Sequence, residues 1–222
     1  MTDTQLTYSN TRQEIVEAAK SLFVTGVMSY SGHANLSARV SDDKMLLTID
    51  GHIRDLRPDR LAVVGLNGET IEGALDPTNA EIVAMHTEIY KIRPDVGGII
   101  HTHSPNLLAF ALANEPLPSR YEALLRWSQA TEVPVVPWAP RGSERSVGGI
   151  IETIIKYPAT QAVLLGNHGV LVFATNPKQA ASLVTILEEA ATAELAARTI
   201  GGAKDLPQGA LTQVLDAMAR VR

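Results

Sequence analysis

The sequence contains no cysteine among its 222 residues. This absence excludes a disulfide framework, a thiolate metal site and a cysteine nucleophile. Any bound metal must therefore be held by imidazole and carboxylate groups. The sequence also lacks a run of about eighteen consecutive apolar residues, the length that a membrane-spanning helix needs, so no membrane association is expected.

An excess of positive charge is missing as well. The formal net charge is -5 at pH 7, and lysine and arginine are scattered along the chain. Proteins that bind nucleic acids concentrate these residues on one surface, so we expect no nucleic-acid partner. The first residues, Met1–Gln5, lack the basic and apolar regions of a signal peptide, which predicts a cytoplasmic protein.

The length and hydrophobic content are those of one compact domain. With 222 residues, of which 45% are hydrophobic, the chain can bury a large core. No repeat, low-complexity tract or linker divides it. We therefore predict a single domain over residues 1–222.

Hydrophobic periodicity predicts helices that alternate with groups of short strands. Helical spacing predicts helices over 11–24, 107–112, 147–155 and 177–200, and a further helix that begins at 76–79 and runs through Tyr90. Short apolar segments predict strands over 45–49, 61–66 and 161–165, with the proline-flanked segment 133–137 as an edge strand. This order indicates an α/β sandwich whose mainly antiparallel sheet is covered on both faces.

Three histidines suggest a metal site. His101 and His103 end an apolar run that begins at Gly97, and side chains two residues apart on a strand lie on one face. His168 lies in a second apolar run, between Gly166 and Gly169. Three imidazoles that leave one coordination position open are typical of catalytic zinc. The first hypothesis is therefore a hydrolytic or lyase-type metalloenzyme.

Proton transfer would need a further group, and several carboxylates are candidates. Glu88 and Asp95 have simpler interpretations as solvated residues, and Glu122 is not distinguished by its position. We favour Glu81, which lies in the first turn of a predicted helix just before the histidine strand. His33 and His52 lie in polar loops and have no partner that their spacing implies.

Four motifs in the same order resemble the class II aldolase/adducin family. They are Leu47–Gly51, Arg93–Pro105, Val135–Ser143 and Asn167–Leu171. The resemblance runs over roughly residues 10 to 200, which makes it more specific than any single motif. The family includes sugar-phosphate aldolases, a 4-epimerase, a dehydratase, decarboxylases and the non-enzymatic adducin head.

The resemblance implies a fold, a cofactor and an assembly. The fold is a three-layer α/β/α sandwich with a central, mainly antiparallel sheet. His101, His103 and His168 fall on the three metal-binding histidines, which implies a divalent ion, zinc or alternatively manganese. The family also implies a homotetramer whose active sites lie between subunits.

The resemblance further implies roles for seven other residues. Glu81 lies near the family's acid/base carboxylate, and Tyr121 matches a tyrosine that protonates an aldehyde from the neighbouring subunit. The candidates for substrate binding are Asn35, Ser37 and Gly51, in loops that commonly hold a phosphate, and Thr78 and Asn79, in the segment where the family has Pro-Ser-Ser-Glu.

This sequence departs from the family in ways that concern the substrate. Counting back from His101 places Ile82, one residue after Glu81, at the acid/base position, and Asp50 stands where a hydroxyl is common. A hydroxy acid or carboxylate is therefore considered beside a phosphosugar. The predicted function is aldol or retro-aldol cleavage through a metal-stabilised enediolate. The alternatives are a decarboxylase, a sugar-phosphate 4-epimerase, and a non-catalytic interaction module.

Overall fold

The computed structural model describes residues 6–220, which form one eight-stranded sheet with helices on both faces. The strands are β1 (Ala34–Ser41), β2 (Lys44–Thr48), β3 (Leu61–Gly65), β4 (Thr70–Glu72), β5 (Gly98–Thr102), β6 (Val135–Val136), β7 (Ala162–Leu165) and β8 (Gly169–Ala174). Their order in the sheet is β4-β3-β2-β1-β5-β8-β7-β6. Every neighbouring pair is antiparallel except β6 and β7, so the sheet is mainly antiparallel, as predicted.

Residues 6–220 also contain eight α-helices. They are α1 (Ser9–Val24), α2 (Pro77–Ala80), α3 (Val83–Ile92), α4 (Pro105–Ala113), α5 (Glu122–Arg126), α6 (Glu144–Lys156), α7 (Pro177–Ala197) and α8 (Ala210–Ala219). The helices α1, α4 and α7 pack on one face, and α3 and α6 pack on the other. The three-layer α/β/α prediction is therefore confirmed. Within residues 6–220, no helix has the length and apolar character to cross a membrane.

Alternation along β5 divides its side chains between the two layers. Ile100 packs in the core under α1, α4 and α7, whereas Ile99 packs in the core under α3 and α6. Burying one such side chain contributes about 1.5–3 kcal/mol, so the register of this strand is strongly determined. His101, two residues after Ile99, therefore lies on the α3 and α6 face of the sheet.

The helix predicted to run through Tyr90 is instead broken at Glu81–Ile82 into α2 and α3. Its start is as predicted, because Asp76 accepts a hydrogen bond from the Thr78 backbone amide. The buried Asn79 side chain, however, donates to the Thr48 carbonyl at 2.8 Å and anchors α2 to the end of β2. The chain turns at Glu81–Ile82, and Ile82 packs in the core under α3 and α6.

The other boundaries differ from the prediction by a few residues. The first helix begins at Ser9 and not at Thr11, because the buried Arg12 donates to the Thr7 carbonyl at 2.7 Å and holds the preceding turn. The last long helix ends at Ala197 and continues as a short 3-10 turn to Ile200. The predicted proline-flanked strand is confirmed at the edge of the sheet.

Candidate metal centre

His101 and His103 reach the site from the end of β5. His101 is 3% exposed, and its Nδ1 lies 3.0 Å from the Val170 carbonyl oxygen on β8. A carbonyl only accepts, so Nδ1 carries the proton and donates. The lone pair of Nε2 is then free for a ligand, and the ring orientation is fixed by the neighbouring strand.

His168 comes from the tight turn between β7 and β8. Asn167 takes the left-handed conformation in this turn, with φ 56°. Gly169 follows, and a Cβ there would lie 2.6 Å from the Thr102 carbonyl oxygen and 2.8 Å from a ring carbon of His103. Only glycine permits this approach, which brings β8 against β5 and His168 beside the other two histidines.

The three predicted histidines converge. Ring centroids are 4.8 Å apart for His101 and His103, 4.7 Å for His101 and His168, and 5.2 Å for His103 and His168. One ligand nitrogen from each lies within 4.8 Å of the others. Three imidazole nitrogens that converge in this way could hold a divalent metal ion. We refer to these three residues as the histidine cluster.

Burial keeps the histidine cluster neutral. Desolvation lowers the pKa of His103 to about 4, with smaller effects from His168 and His33. The pKa of His101 is well below its usual range for the same first reason, and burial also lowers that of His168. A neutral imidazole offers a lone pair at neutral pH, which metal binding requires.

A fourth imidazole, His33, lies beside the cluster and was missed by the sequence analysis. Its ring stacks on His103, with centroids 5.9 Å apart and an interplanar angle of 21°. Ala34 on β1 pairs with Thr102 on β5, and continuing this register by one residue places His33 opposite His103. The ring also covers Gly51, where a Cβ would lie 1.9 Å from a ring carbon of His33. The sequence signal that could have indicated this position is the two-residue period of a strand, which places His33 on the same sheet face as Asn35.

Two predicted substrate residues, Asn35 and Ser37, lie on the same sheet face but are deeply buried. Asn35 is 2% exposed and pairs directly with His101 across the strands. Its Oδ1 lies 2.7 Å from His86 Nε2. Ser37 has no exposed surface, and its hydroxyl lies 2.7 Å from His86 Nδ1 and 2.9 Å from the Tyr90 hydroxyl.

Glu81 lies outside the histidine cluster and is linked to it through Arg141. The Glu81 side chain is 55% exposed, and its Oε2 lies 3.4 Å from Arg141 Nε. Arg141 also donates to the Thr78 carbonyl. Its positive charge lowers the pKa of His33, His103 and His168 after the larger effect of burial. The sequence analysis did not select Arg141.

The remaining predicted residues occupy different surroundings. Thr78 is exposed and its hydroxyl donates to Asp76, whereas Asn79 is buried against β2. Tyr121 is 41% exposed at the start of α5. Asp50 accepts from the His52 backbone amide at 2.8 Å and pairs with Arg60, so its charge is compensated within the chain.

Comparison with known proteins identifies the family. Residues 13–195 match the sequence model of the class II aldolase and adducin N-terminal domain. The chain therefore belongs to this family. An L-fuculose 1-phosphate aldolase of known structure superposes with a TM-score of 0.84 at 25% identity, over 97% of this chain and 99% of that chain.

Two characterised relatives illustrate the reactions found among similar proteins. A 5-deoxy-D-ribulose 1-phosphate aldolase from Bacillus thuringiensis is 27% identical over 199 residues, 89% of this chain and 90% of the relative. A 3-oxo-tetronate 4-phosphate decarboxylase from Pectobacterium atrosepticum is 33% identical over 186 residues, 81% of each chain.

Proposed function

We propose that this protein is a divalent-metal-dependent lyase that cleaves or forms a carbon–carbon bond in a small hydroxy-carbonyl compound. The observation that carries the proposal is the convergence of three neutral imidazoles within 4.8 Å. The aldolase relatives of similar length support this reaction class. We propose a homotetramer with active sites between subunits, as the family resemblance implies, and a single domain over the whole chain.

His101, His103 and His168 would hold the ion, with zinc preferred for the all-imidazole ligand set and manganese as the alternative. When bound, a divalent ion supplies Lewis-acid stabilisation of the negative charge that develops on a carbonyl oxygen as the adjacent bond breaks. The protein would orient these rings, as the Val170 carbonyl does for His101, and would shield the buried ring of His101 from water.

Glu81 is the proposed proton carrier at carbon. Its side chain is accessible, and its contact with Arg141 at 3.4 Å is a partly exposed ion pair of the kind that exchanges readily. Tyr121 is the proposed acid for the aldehyde oxygen and would act on the site of a neighbouring subunit, consistent with its exposed position at the start of α5.

Decarboxylation is the second candidate, because Arg141, whose positive charge lowers the pKa of His168 after the larger effect of burial, is a cation that a substrate carboxylate could contact. The decarboxylase relative supports it, since the two proteins match over 81% of each chain. Both candidates place the substrate among small sugar phosphates or related hydroxy acids, and hence the protein in carbohydrate metabolism.

Metal analysis combined with a product assay tests the proposal. We expect about one divalent ion per chain by inductively coupled plasma mass spectrometry, and its loss in His168→Ala. His52→Ala is the matched control, because His52 is 89% exposed and lies outside the cluster. Ketose phosphates and 3-oxo acids are then assayed for aldehyde and for carbon dioxide. A His168→Ala protein that keeps both its ion and its turnover would contradict the proposal.

A further inference from the structure

Four buried side chains form a continuous line of hydrogen bonds from α3 to the centre of the sheet. We call them the polar chain; its members are Tyr90, Ser37, His86 and Asn35. The successive heavy-atom distances are 2.9, 2.7 and 2.7 Å. All four are at most 2% exposed. The aldolase reaction as proposed above does not use His86 or Tyr90, so their arrangement needs its own explanation.

We propose that the polar chain is a positioning device: it fixes the Asn35 side-chain amide with its NH2 group toward the histidine cluster, where that group holds a substrate oxygen. The identity of the substrate rests on the proposed function. The direction of the hydrogen bonds rests on the structure alone. In this arrangement, Ser37 acts through His86 and not by touching the substrate.

The direction follows from donor and acceptor chemistry. Asn35 Oδ1 only accepts, so His86 Nε2 carries the proton that joins them. Burial lowers the pKa of His86 to about 3, so its ring is neutral and Nδ1 must accept. The Ser37 hydroxyl therefore donates to Nδ1, and its oxygen accepts from the Tyr90 hydroxyl.

Tyr90 determines which of two directions the chain takes. Within residues 6–220, its hydroxyl has one hydrogen-bond partner, Ser37. If the chain ran the other way, Ser37 would donate to Tyr90, and the tyrosine proton would be left buried without an acceptor. Burial raises the pKa of Tyr90 far above its usual range, so the proton is retained. Tyr90, at one end of the polar chain, thus determines the orientation of the Asn35 amide at the other end.

The position of Asn35 connects this device to the site. Asn35 lies directly across from His101 in the antiparallel pair of β1 and β5, so the two side chains share one sheet face. Within residues 6–220, the enclosed side-chain polar atoms without a partner are Asn79 Oδ1 and Ser104 Oγ. Asn35 Nδ2 is not one of these atoms, and its hydrogens are the donors of the polar chain that the bonds to His86, Ser37 and Tyr90 do not use.

The direction can be tested by nitrogen NMR of the ¹⁵N-labelled protein, without any substrate. We expect His86 to be a single Nε2–H tautomer in the wild type, with its signals assigned by their absence in His86→Gln. Tyr90→Phe removes the terminal donor, so His86 should become a mixture of tautomers. Tyr8→Phe is the control, because Tyr8 is 38% exposed in the turn before α1. A wild-type Nδ1–H tautomer, or no change in Tyr90→Phe, would overturn the proposal.

The connection to the substrate is tested by kinetics on the metal-loaded protein. With whichever ketose phosphate or 3-oxo acid is turned over, Tyr90→Phe should raise KM about three- to tenfold, as expected for one misoriented hydrogen bond, while kcat and metal content hold. A fall in kcat together with metal loss would instead indicate a structural role. If no substrate is turned over, the function proposal fails, whereas the tautomer result still decides the direction of the polar chain.

Discussion

The histidine cluster and the polar chain lie on one face of the sheet and use histidine in opposite ways. In the histidine cluster, nitrogens from three rings face one another within 4.8 Å. In the polar chain, both nitrogens of His86 are committed to protein partners at 2.7 Å. Desolvation lowers the pKa in both groups. Burial and a shifted pKa therefore do not mark a ligand site; uncommitted lone pairs that converge on one point do.

The histidine cluster and the polar chain also differ in how a bound ligand affects their stability. Converging lone pairs have no donor between them, so the cluster gains stability when a cation binds. The polar chain is complete without a ligand, because every donor in it except the Asn35 NH2 group has a partner. We therefore expect the two groups to respond differently to metal, mutation and pH, and the following predictions are ordered from the largest effect to the smallest.

Removal of metal should produce the largest difference between the histidine cluster and the polar chain. Treatment with EDTA should lower turnover by about 10³-fold or more, because a bound ion supplies several kcal/mol of transition-state stabilisation. Zinc or manganese should restore it, while the NMR signals of His86 stay at the positions of a neutral Nε2–H ring. Turnover that survives complete chelation would mean that the cluster is not the catalytic centre.

Glu81→Gln should reduce turnover by about 10²-fold and leave the metal content unchanged, since the amide keeps the shape of the side chain but cannot carry a proton. Glu88→Gln is the matched control, because Glu88 pairs with Lys91 at 2.6 Å on the exposed side of α3. The measurements are kcat and ion stoichiometry. If turnover is unchanged while metal is still bound, Glu81 is not the acid/base residue. Ile82, at the position obtained by counting back from His101, cannot take this role because its side chain is aliphatic.

The buried His86 should make stability depend on pH. Its pKa is about 3 in the folded protein, against 6.5 in the unfolded chain. Above pH 6.5 neither state binds the proton, so the contribution is complete; as pH falls from 6.5 toward 3, only the unfolded state binds it, and stability decreases. The loss is about 1.4 kcal/mol per pH unit.

This titration is measured as a difference between variants. Urea unfolding of wild type and His86→Gln between pH 7 and 4.5 should show a shallower pH slope for the variant, by about one proton. His52→Gln, a substitution at a ring that is 89% exposed, is the control. Identical slopes in wild type and His86→Gln would contradict the assignment of a neutral buried ring.

Much of this arrangement could be predicted from the sequence because it depends on short-range periodicity. A two-residue period places His101 and His103 on one face, and the glycines around His168 indicate a tight turn. The order of the four motifs then indicated the class II aldolase/adducin family, and this resemblance implied the three-layer fold. These features are local, or repeat in a recognisable order, so a single chain contains the information for them.

What could not be predicted depends on contacts between distant segments. The stacking of His33 on His103 requires the register of β1 against β5, and the position of Arg141 requires its loop to meet the turn at Glu81. The break between α2 and α3 depends on a hydrogen bond from Asn79 to β2. No periodicity within one segment reports these pairings, because strand register is decided by the whole core.

His33 makes the comparison sharpest, because it is an imidazole beside the histidine cluster that belongs to neither group. Its ring stacks on His103 at 5.9 Å but is not among the residues whose ligand atoms converge. We therefore expect His33→Ala to keep a full complement of metal and to change kcat by less than about threefold. Its KM should change, because loss of the ring uncovers Gly51 beside the cluster. The measurements are ion stoichiometry and steady-state kinetics, with His52→Ala as the control. A drop below one ion per chain would show that His33 is a fourth ligand of the histidine cluster. The convergence of ligand atoms in this structure would then be too strict a criterion for metal binding.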